Sequence, residues 1–450
     1  MSLRSSTRLA RDVHKSSIDA NDSDESKGKK DMKQIIPVIT IALIASATSA
    51  QEVQFETFPG IFMLDMSTDG SIIVGNNAAF EAVRWTRETG IVLLGRDTTS
   101  FGAGAGTPDI SDDGTRVSAT ISTDDGLHIT QGIWIEGQGW TELMPPPPVG
   151  GGLLDNAYGS AWGISGNGEH VVGLYWRPNN PGDGSAHASF SQFIEDGVEV
   201  IDLGSTVKSS RANHVNYDGT VVVGWDELAT GAWIPTVWDN GVLTRLDTSE
   251  GFAEANYVTP DGNLIGGDTY NDTLRINEAT IWTRTGNTWT QNVLGSLLGT
   301  APPFGLATVE GLTPDGSIAV GYNRRTNPLT ATGFIWTAED GMEDIVDWLT
   351  DRGVVLPQDF RIFDLASISA DGKIMIGSGV NTINGLPIGF IITKTCQADI
   401  TGDGNLNFFD VSAFLSAFAA NDPVADFTDD GSWNFFDVSA FLTAFSAGCP

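Results

Sequence analysis

Two stretches near the end of the chain, DITGDGNLNFFD at 399–410 and DFTDDGSWNFFD at 426–437, put oxygen-bearing residues at the same six places. A calcium loop needs oxygen ligands at its positions 1, 3, 5, 7, 9 and 12, with glycine at 6 to allow a sharp turn. In the first stretch these positions hold Asp399, Thr401, Asp403, Asn405 (through its carbonyl), Asn407 and Asp410, with Gly404 at the turn. The second supplies Asp426, Thr428, Asp430, Ser432 (carbonyl), Asn434 and Asp437, with Gly431. One match in an acidic protein is weak, but two in register, each followed by the same helix-forming VSAFL and AF residues, predict two Ca2+ sites. Residues 396–450 hold eight Asp and no Lys, Arg or Glu. So many carboxylates repel one another until a divalent cation converts them into ligands, which makes binding energy into folding energy.

Few other residues offer metal or nucleophile chemistry. The five histidines, His14, His128, His170, His187 and His214, include no pair at ligand spacing. That argues against zinc and against histidine-based catalysis. The only cysteines, Cys396 and Cys449, bracket the acidic segment. In an exported chain they are expected to form a disulfide, with free thiols or intermolecular links as the alternatives. Closing a loop of this size stabilises by about 4 kcal/mol in the chain-entropy account.

The elements preceding this segment follow another pattern. Acidic residues outnumber basic ones by 57 to 24, which argues against nucleic acid or an anionic membrane as partner. Seven stretches repeat at spacings of 43 to 56 residues: DMSTDGSIIVG (65–75), DISDDGTRVSA (109–119), GISGNGEHVVG (163–173), HVNYDGTVVVG (214–224), YVTPDGNLIGG (257–267), GLTPDGSIAVG (311–321) and SISADGKIMIG (367–377). Asp-Gly or Asn-Gly between apolar residues is a hairpin signal, because glycine accepts the positive φ of a tight turn. Each is followed by an aromatic-centred strand such as AVRW or ATIW, a glycine turn and one more apolar strand. Four short strands repeated seven times predict an all-β, seven-bladed β-propeller of four-stranded blades, followed by a small α-helical tandem calcium-loop domain. Trp85, Trp134, Trp238, Trp282 and Trp336 recur at one blade position and are expected between blades. The last repeat lacks a fourth strand, and EVQFETFPG (52–60) precedes the first without a partner. The N-terminal strand is therefore expected to complete the last blade and close the ring.

The repeats resemble the HAF family of extracellular repeats, most closely at AHASFSQFIEDGVEVIDLG (186–204), over roughly residues 55–393. That resemblance implies an extracellular propeller and no particular activity. The 396–450 segment resembles type I dockerins, above all the Gly-Cys-ending modules of planctomycete-type bacteria, here through Gly448-Cys449 and Asp410 and Asp437 at position 12. It implies docking to a cohesin-like or cell-surface protein, often in polysaccharide catabolism. Thr401 and Thr428 at position 3 depart from the family's Asp or Asn, and Phe408-Phe409 and Phe435-Phe436 stand where cohesin-contacting polar residues are usual.

Residues 32–50, MKQIIPVITIALIASATSA, read as a secretory signal: Lys33, an apolar run from Ile35 to Ala45, and a Thr48-Ser49-Ala50 cleavage site. The run is too short to span a bilayer, so no membrane span is expected in the mature chain. The expected organisation is 1–31 polar extension or mis-assigned start, 32–50 signal peptide, 51–395 propeller and 396–450 docking module. The function expected is that of a non-catalytic, extracellular or cell-surface propeller that binds carbohydrate or protein. A polysaccharide-degrading enzyme and a structural envelope protein are the alternatives. Tyr175, Trp176, Trp225, Tyr270 and Tyr322 follow the second strand of several blades and are candidates for a sugar-stacking face.

Overall fold

The computed structural model describes residues 53–97, 106–124, 129–144, 159–180, 183–194, 197–247, 249–298, 305–325, 330–402, 405–428 and 430–448. The expected signal segment and polar extension lie outside them, as do Asp403, Gly404 and Cys449.

The strands run in chain order as antiparallel meanders. After β1 (Val53–Pro59), the first meander is β2 (Ile61–Met66), β3 (Ile72–Asn77), β4 (Glu81–Thr86) and β5 (Gly90–Asp97). The next is β6 (Asp109–Ile110), β7 (Arg116–Ser122), β8 (Ile129–Ile135) and β9 (Gly139–Leu143). Then follow β10 (Gly159–Ile164), β11 (His170–Asn180), β12 (Asp183–Ile194) and β13 (Gly197–Gly204), and after them β14 (Ser210–Val215), β15 (Val221–Glu227), β16 (Trp233–Asp239) and β17 (Val242–Arg245). One eight-stranded sheet joins β18 (Ala255–Val258), β19 (Leu264–Asn271), β20 (Ile276–Thr285) and β21 (Thr288–Gly295) to β22 (Leu306–Leu312), β23 (Ile318–Arg324), β24 (Thr332–Thr337) and β25 (Gly341–Asp344). The junction is a single parallel bridge, Asn277 to Leu306. After a short helix α1 (Ile345–Asp351), the last sheet contains β26 (Phe360–Ile362), β27 (Ser367–Ile368), β28 (Ile374–Asn381) and β29 (Pro387–Lys394).

The ring closes as expected. β1 pairs with β29 over seven residues, from Val53 opposite Lys394 to Pro59 opposite Ile388. Met63, Met66, Ile73 and Trp85 of the first meander share one buried cluster with Ile376 and Ile391 of the last. Similar clusters lie between successive sheets, as where Val221, Val223 and Val237 meet Val258, Ile265 and Trp282. Trp85, Trp238 and Trp282 are buried there, while Trp134 and Trp336 are half-buried against neighbouring clusters. Sheets packed face to face in a closed ring make this part of the chain a β-propeller.

The Asp-Gly turns hold themselves shut. The Ser67 hydroxyl donates to Asp69 Oδ1 (2.7 Å), which also accepts from the Ser71 N–H (2.9 Å), and Ser67 Oγ accepts from the Ile72 N–H (3.0 Å). The same pattern recurs at Thr313, Asp315 and Ser317 and at Ser369, Asp371 and Lys373. Gly114 shows why glycine is required: φ is +68°, and a Cβ there would lie 2.1 Å from Ile72 Cδ1 of the preceding meander.

The C-terminal segment is helical. α2 (Phe408–Ala420) and α3 (Phe435–Ala447) flank a short 3-10 turn, Pro423–Ala425. Phe414 and Phe441 stack at 4.0 Å between centroids in a core with Ala398, Ala425 and Phe427. Among the described residues, no helix is long and apolar enough to cross a membrane.

Candidate functional site

The innermost strands of five meanders, β2, β10, β14, β18 and β22, bulge, and the bulges aim side chains into the central channel. On β2, Met63 faces Gly75 and Asp65 faces Val74, so Leu64 is left without a partner. Equivalent shifts leave out Trp162, Asn213, Asn256 and Glu310. A bulge inserts one residue against the partner strand and re-aims it. The opposing glycine makes room: a Cβ on Gly75 would lie 1.8 Å from the Phe62 carbonyl oxygen, and one on Gly224 1.9 Å from that of Arg211. All five unpaired residues line one cavity of about 460 Å³ at one end of the channel.

Arg211, Glu254 and the two asparagines form the polar wall. The Arg211 guanidinium lies 3.7 Å from the Trp162 ring centroid and pairs with Glu254. Its Nε donates to Asn213 Oδ1 (2.6 Å); Asn213 Nδ2 donates to Glu254 Oε2 and to Asn256 Oδ1, each at 3.0 Å. Asn256 Nδ2 in turn donates to Thr308 Oγ1 (2.8 Å) and Glu310 Oε1 (3.2 Å). One hydrogen-bonded chain thus crosses β14, β18 and β22. An aromatic wall stands beside it: Trp225 stacks on Trp233 at 4.3 Å, and Phe252, 61 % exposed, meets Trp233 edge-on.

Carboxyls crowd this space. Burial, then Asp364 and Glu254, push Glu310 up to about 8, and burial pushes Asp364 up to about 7. Asp268, bonded to Asn277, is raised well above the usual carboxylate range by burial. Asp109 is raised likewise, by burial and then by Asp65. Burial also lowers His214 to about 4, which keeps the ring neutral at neutral pH.

The five aromatics singled out in the sequence do not share a face. Tyr322 lines the cavity. Trp225 lies behind Trp233, 5 % exposed, with its Nε1 lacking a partner among the described residues. Tyr175 is buried, its hydroxyl donating to the Leu143 carbonyl. Trp176 is 39 % exposed, and Tyr270 is half-buried close to Gly251. Side chains alternate along a strand, so Trp225 and Tyr322, one residue past the strand glycine, diverge from Tyr175, two past it.

The cavity residues were not singled out, although the sequence carries a signal for them. The glycine ending six of the seven repeats, as in SIIVG or VVVG, sits within a strand, where a glycine marks a bulge or a close backbone approach.

In the C-terminal segment, the second loop gathers its oxygens. Asp437 is fully buried; its Oδ1 accepts from the Thr428 N–H (2.9 Å) and hydroxyl (2.7 Å), its Oδ2 from the Asn434 N–H (2.8 Å). Asp426 accepts from the Asp430 N–H (3.2 Å) and the Gly431 N–H (2.9 Å), with Gly431 at φ +72°. Ser432 donates its N–H to Asp430 Oδ1 (2.8 Å), and its carbonyl accepts from Asn434 Nδ2 (2.7 Å). The first loop repeats this at Thr401, Asn407 and Asp410, with Asn405 O accepting from Asn407 Nδ2 and Asp399 half-buried nearby. Oxygen-only donors around a positive-φ glycine fit a hard cation such as Ca2+. Among the described residues no three His, Cys, Asp or Glu side chains cluster as a metal site; the loops draw on threonine, asparagine and main-chain oxygens as well. Cys396 packs on the helical core and is not a free thiol, and Cys449 lies outside the described residues.

No known protein-family description and no curated protein matches the chain. Solved structures with a similar trace include an oligogalacturonate lyase in complex with manganese (13 % identity, 76 % of this chain and 91 % of that one, TM-score 0.47). Others are an oligogalacturonate lyase from Vibrio parahaemolyticus (13 %, 76 % and 97 %, 0.47) and the β-propeller domain of the Trilobed protease from Pyrococcus furiosus (12 %, 74 % and 94 %, 0.42).

Proposed function

We propose that the chain is an exported, seven-bladed propeller that binds carbohydrate in the channel cavity and is held at a cell surface or scaffold by a dockerin-like module. The observation that carries the binding half is the convergence of the unpaired bulge residues on one cavity with Trp233 and Phe252 at its side. A cavity with a few convergent polar groups and aromatic faces suits a polyhydroxylated ligand. Docking falls to residues 396–450, where Phe408, Phe409, Phe435 and Phe436 are 68–77 % exposed, in duplicate, on a segment this small. They offer an apolar surface to a cohesin-like or cell-surface protein. Two Ca2+ ions, held by Asp399, Thr401, Asp403, Asn405, Asn407 and Asp410 and by the matching residues of the second loop, would neutralise the loop carboxylates, and a Cys396–Cys449 disulfide would tie the ends.

A glycan array probed with the intact protein in calcium tests the binding half: W233A is expected to lose the signal, and an array blank for the wild type removes this reading. Chelation tests the other half, since EGTA should lower the helical circular dichroism and spare the β signal. A single calcium-indifferent melt contradicts it. A polysaccharide-degrading enzyme is the second reading, favoured by Glu310, a carboxyl that stays protonated at neutral pH beside the Arg211-paired Glu254; sugar release assayed alongside the array decides it.

A further inference from the structure

We infer that the cavity takes the end of a glycan chain rather than a stretch of its middle. The inference rests on the carbohydrate-binding reading and adds to it the part of the chain recognised. Beyond the cavity of about 460 Å³ the channel continues only as a space of about 50 Å³ between the Asp-Gly turns. The first is in the range of small-molecule sites, whereas the second admits no more than a few waters. Asp65, Asp109, His214 and Tyr257 line both spaces and so form the neck between them.

That neck is pinned. Asp65 accepts from the Ile110 N–H (3.0 Å) and the Ser367 hydroxyl (3.1 Å), and Asp109 from the Ile164 N–H (2.9 Å). His214 Nδ1 accepts from the Val258 N–H (3.3 Å), and its ring lies 4.7 Å from that of Tyr257. Each bond joins one meander to another, so widening the neck would break contacts within the ring. Every residue of the Asp-Gly turns on this side is among those described. A polysaccharide therefore cannot thread the channel.

The walls are placed for a terminal residue. From Phe252 through Glu254 and on along β18 past Asn256 to Tyr257 is about 15 Å at the rise of extended chain. A chain entering end-on meets Phe252 and Trp233 first and then reaches the Arg211, Asn213, Asn256 and Glu310 groups with its last sugar. A chain lying across the mouth would touch the aromatic edge and leave the polar chain of hydrogen bonds unused.

The test is isothermal titration of the intact protein, in calcium, with hexasaccharides of β-1,4-glucan, β-1,4-xylan, β-1,4-mannan and β-1,3-glucan and with water-soluble polymers or derivatives of the same backbones. End recognition gives one protein per chain whatever its length, so a polymer at equal mass binds far less. It also makes Asn256→Leu weaken binding by about tenfold or more, a lost hydrogen-bonding wall, with the wild-type melt retained. Many proteins per polymer chain, or N256L binding like wild type, overturns the inference and leaves carbohydrate binding standing. No binding of any of these sugars overturns both.

Discussion

The propeller turns and the second C-terminal loop both contain an Asp-Gly pair whose glycine has φ near +70°, yet their carboxylates are used differently. Asp315 Oδ1 accepts from the Thr313 hydroxyl, the Ser317 N–H and the Ser317 hydroxyl. Such a turn is closed by its own three or four residues. In the loops, Asp437 is saturated by Thr428 and Asn434, but Asp430 accepts only from Ser432 among the bonds described, and the Thr428 oxygen keeps its lone pairs. A turn that satisfies its aspartate can be repeated around a ring without a cofactor; a loop that leaves oxygens over has ligands to offer the proposed cation. The same dipeptide thus teaches nothing until its donors are counted.

The largest effect should come from opening the ring. Deleting residues 51–59 removes β1, the whole β29 edge pairing and the Phe55 contacts with Phe360 and Phe390. Domains hold only about 5–15 kcal/mol in total, so the truncated chain is expected to aggregate or to lose its cooperative β-sheet melt, while the C-terminal helices still form. A truncated propeller melting within a few degrees of the intact one would show that closure contributes little.

Phe441→Ala reverses the selection. It deletes the ring stacked on Phe414 and set edge-on to Phe427, a loss of about 3–5 kcal/mol for a buried phenylalanine. A unit of this size has about that much stability in its core. Helical circular dichroism should fall even in calcium, with the β-sheet melt unchanged. A shift in both transitions would mean that the two regions fold as one.

A smaller effect separates their pH responses. Glu310 faces Glu254, Asp268, Asp364, Tyr322, Arg211 and Arg324, and its pKa of about 8 in the folded protein exceeds the usual carboxylate value. The folded state therefore binds the proton more tightly, and stability is lost as pH rises from the unfolded pKa through about 8. The cost is on the order of 2–4 kcal/mol once partial exposure is allowed for. On the acid side the sign is opposite. The Thr220 hydroxyl holds Asp218 below its ordinary range and the Ser317 N–H does so for Asp315, so those contributions vanish as pH falls through the carboxylate range. Propeller melts from pH 5 to 9 should decline on the alkaline side, and E310Q should flatten that decline; an unchanged slope in E310Q contradicts the assignment.

The contrast also explains what could be read from the sequence. Turn chemistry is local: Ser-x-Asp-Gly carries its donors and acceptors within six residues, so the turns, the meanders and the β1–β29 closure were legible. Inter-blade tryptophans recur at one register and were legible too. The cavity is not local. Asn213, Asn256 and Glu310 lie about 50 residues apart, take the place that Leu64 and Trp162 hold in other blades, and meet only because their three inner strands bulge opposite a glycine. Tyr175 and Trp225 show the matching difficulty: a one-residue offset from that glycine reverses the face, which composition does not reveal.

The smallest prediction compares one hydroxyl in each region. Ser369→Ala removes a donor to Asp371 Oδ1 (2.7 Å) and an acceptor for the Ile374 N–H (2.9 Å), but Asp371 keeps the Lys373 N–H and the turn keeps its glycine. The loss should be about 1 kcal/mol, the net value of such a bond, spread over a ring with many equivalent turns, and hence a shift of a degree or two in the propeller melt. Thr428→Val removes a hydroxyl donor from Asp437, a fully buried carboxylate left with only the Thr428 and Asn434 N–H groups. A bond to a charged group is worth about 1.5–3 kcal/mol, and here it falls on a unit with a small core. The helical melt should therefore drop by several times more than the propeller melt does in S369A, and more in EGTA than in calcium, where the cation neutralises the same carboxylate. Equal shifts in the two variants would mean that the loop, like the turn, is satisfied by its own donors and needs no cation to close.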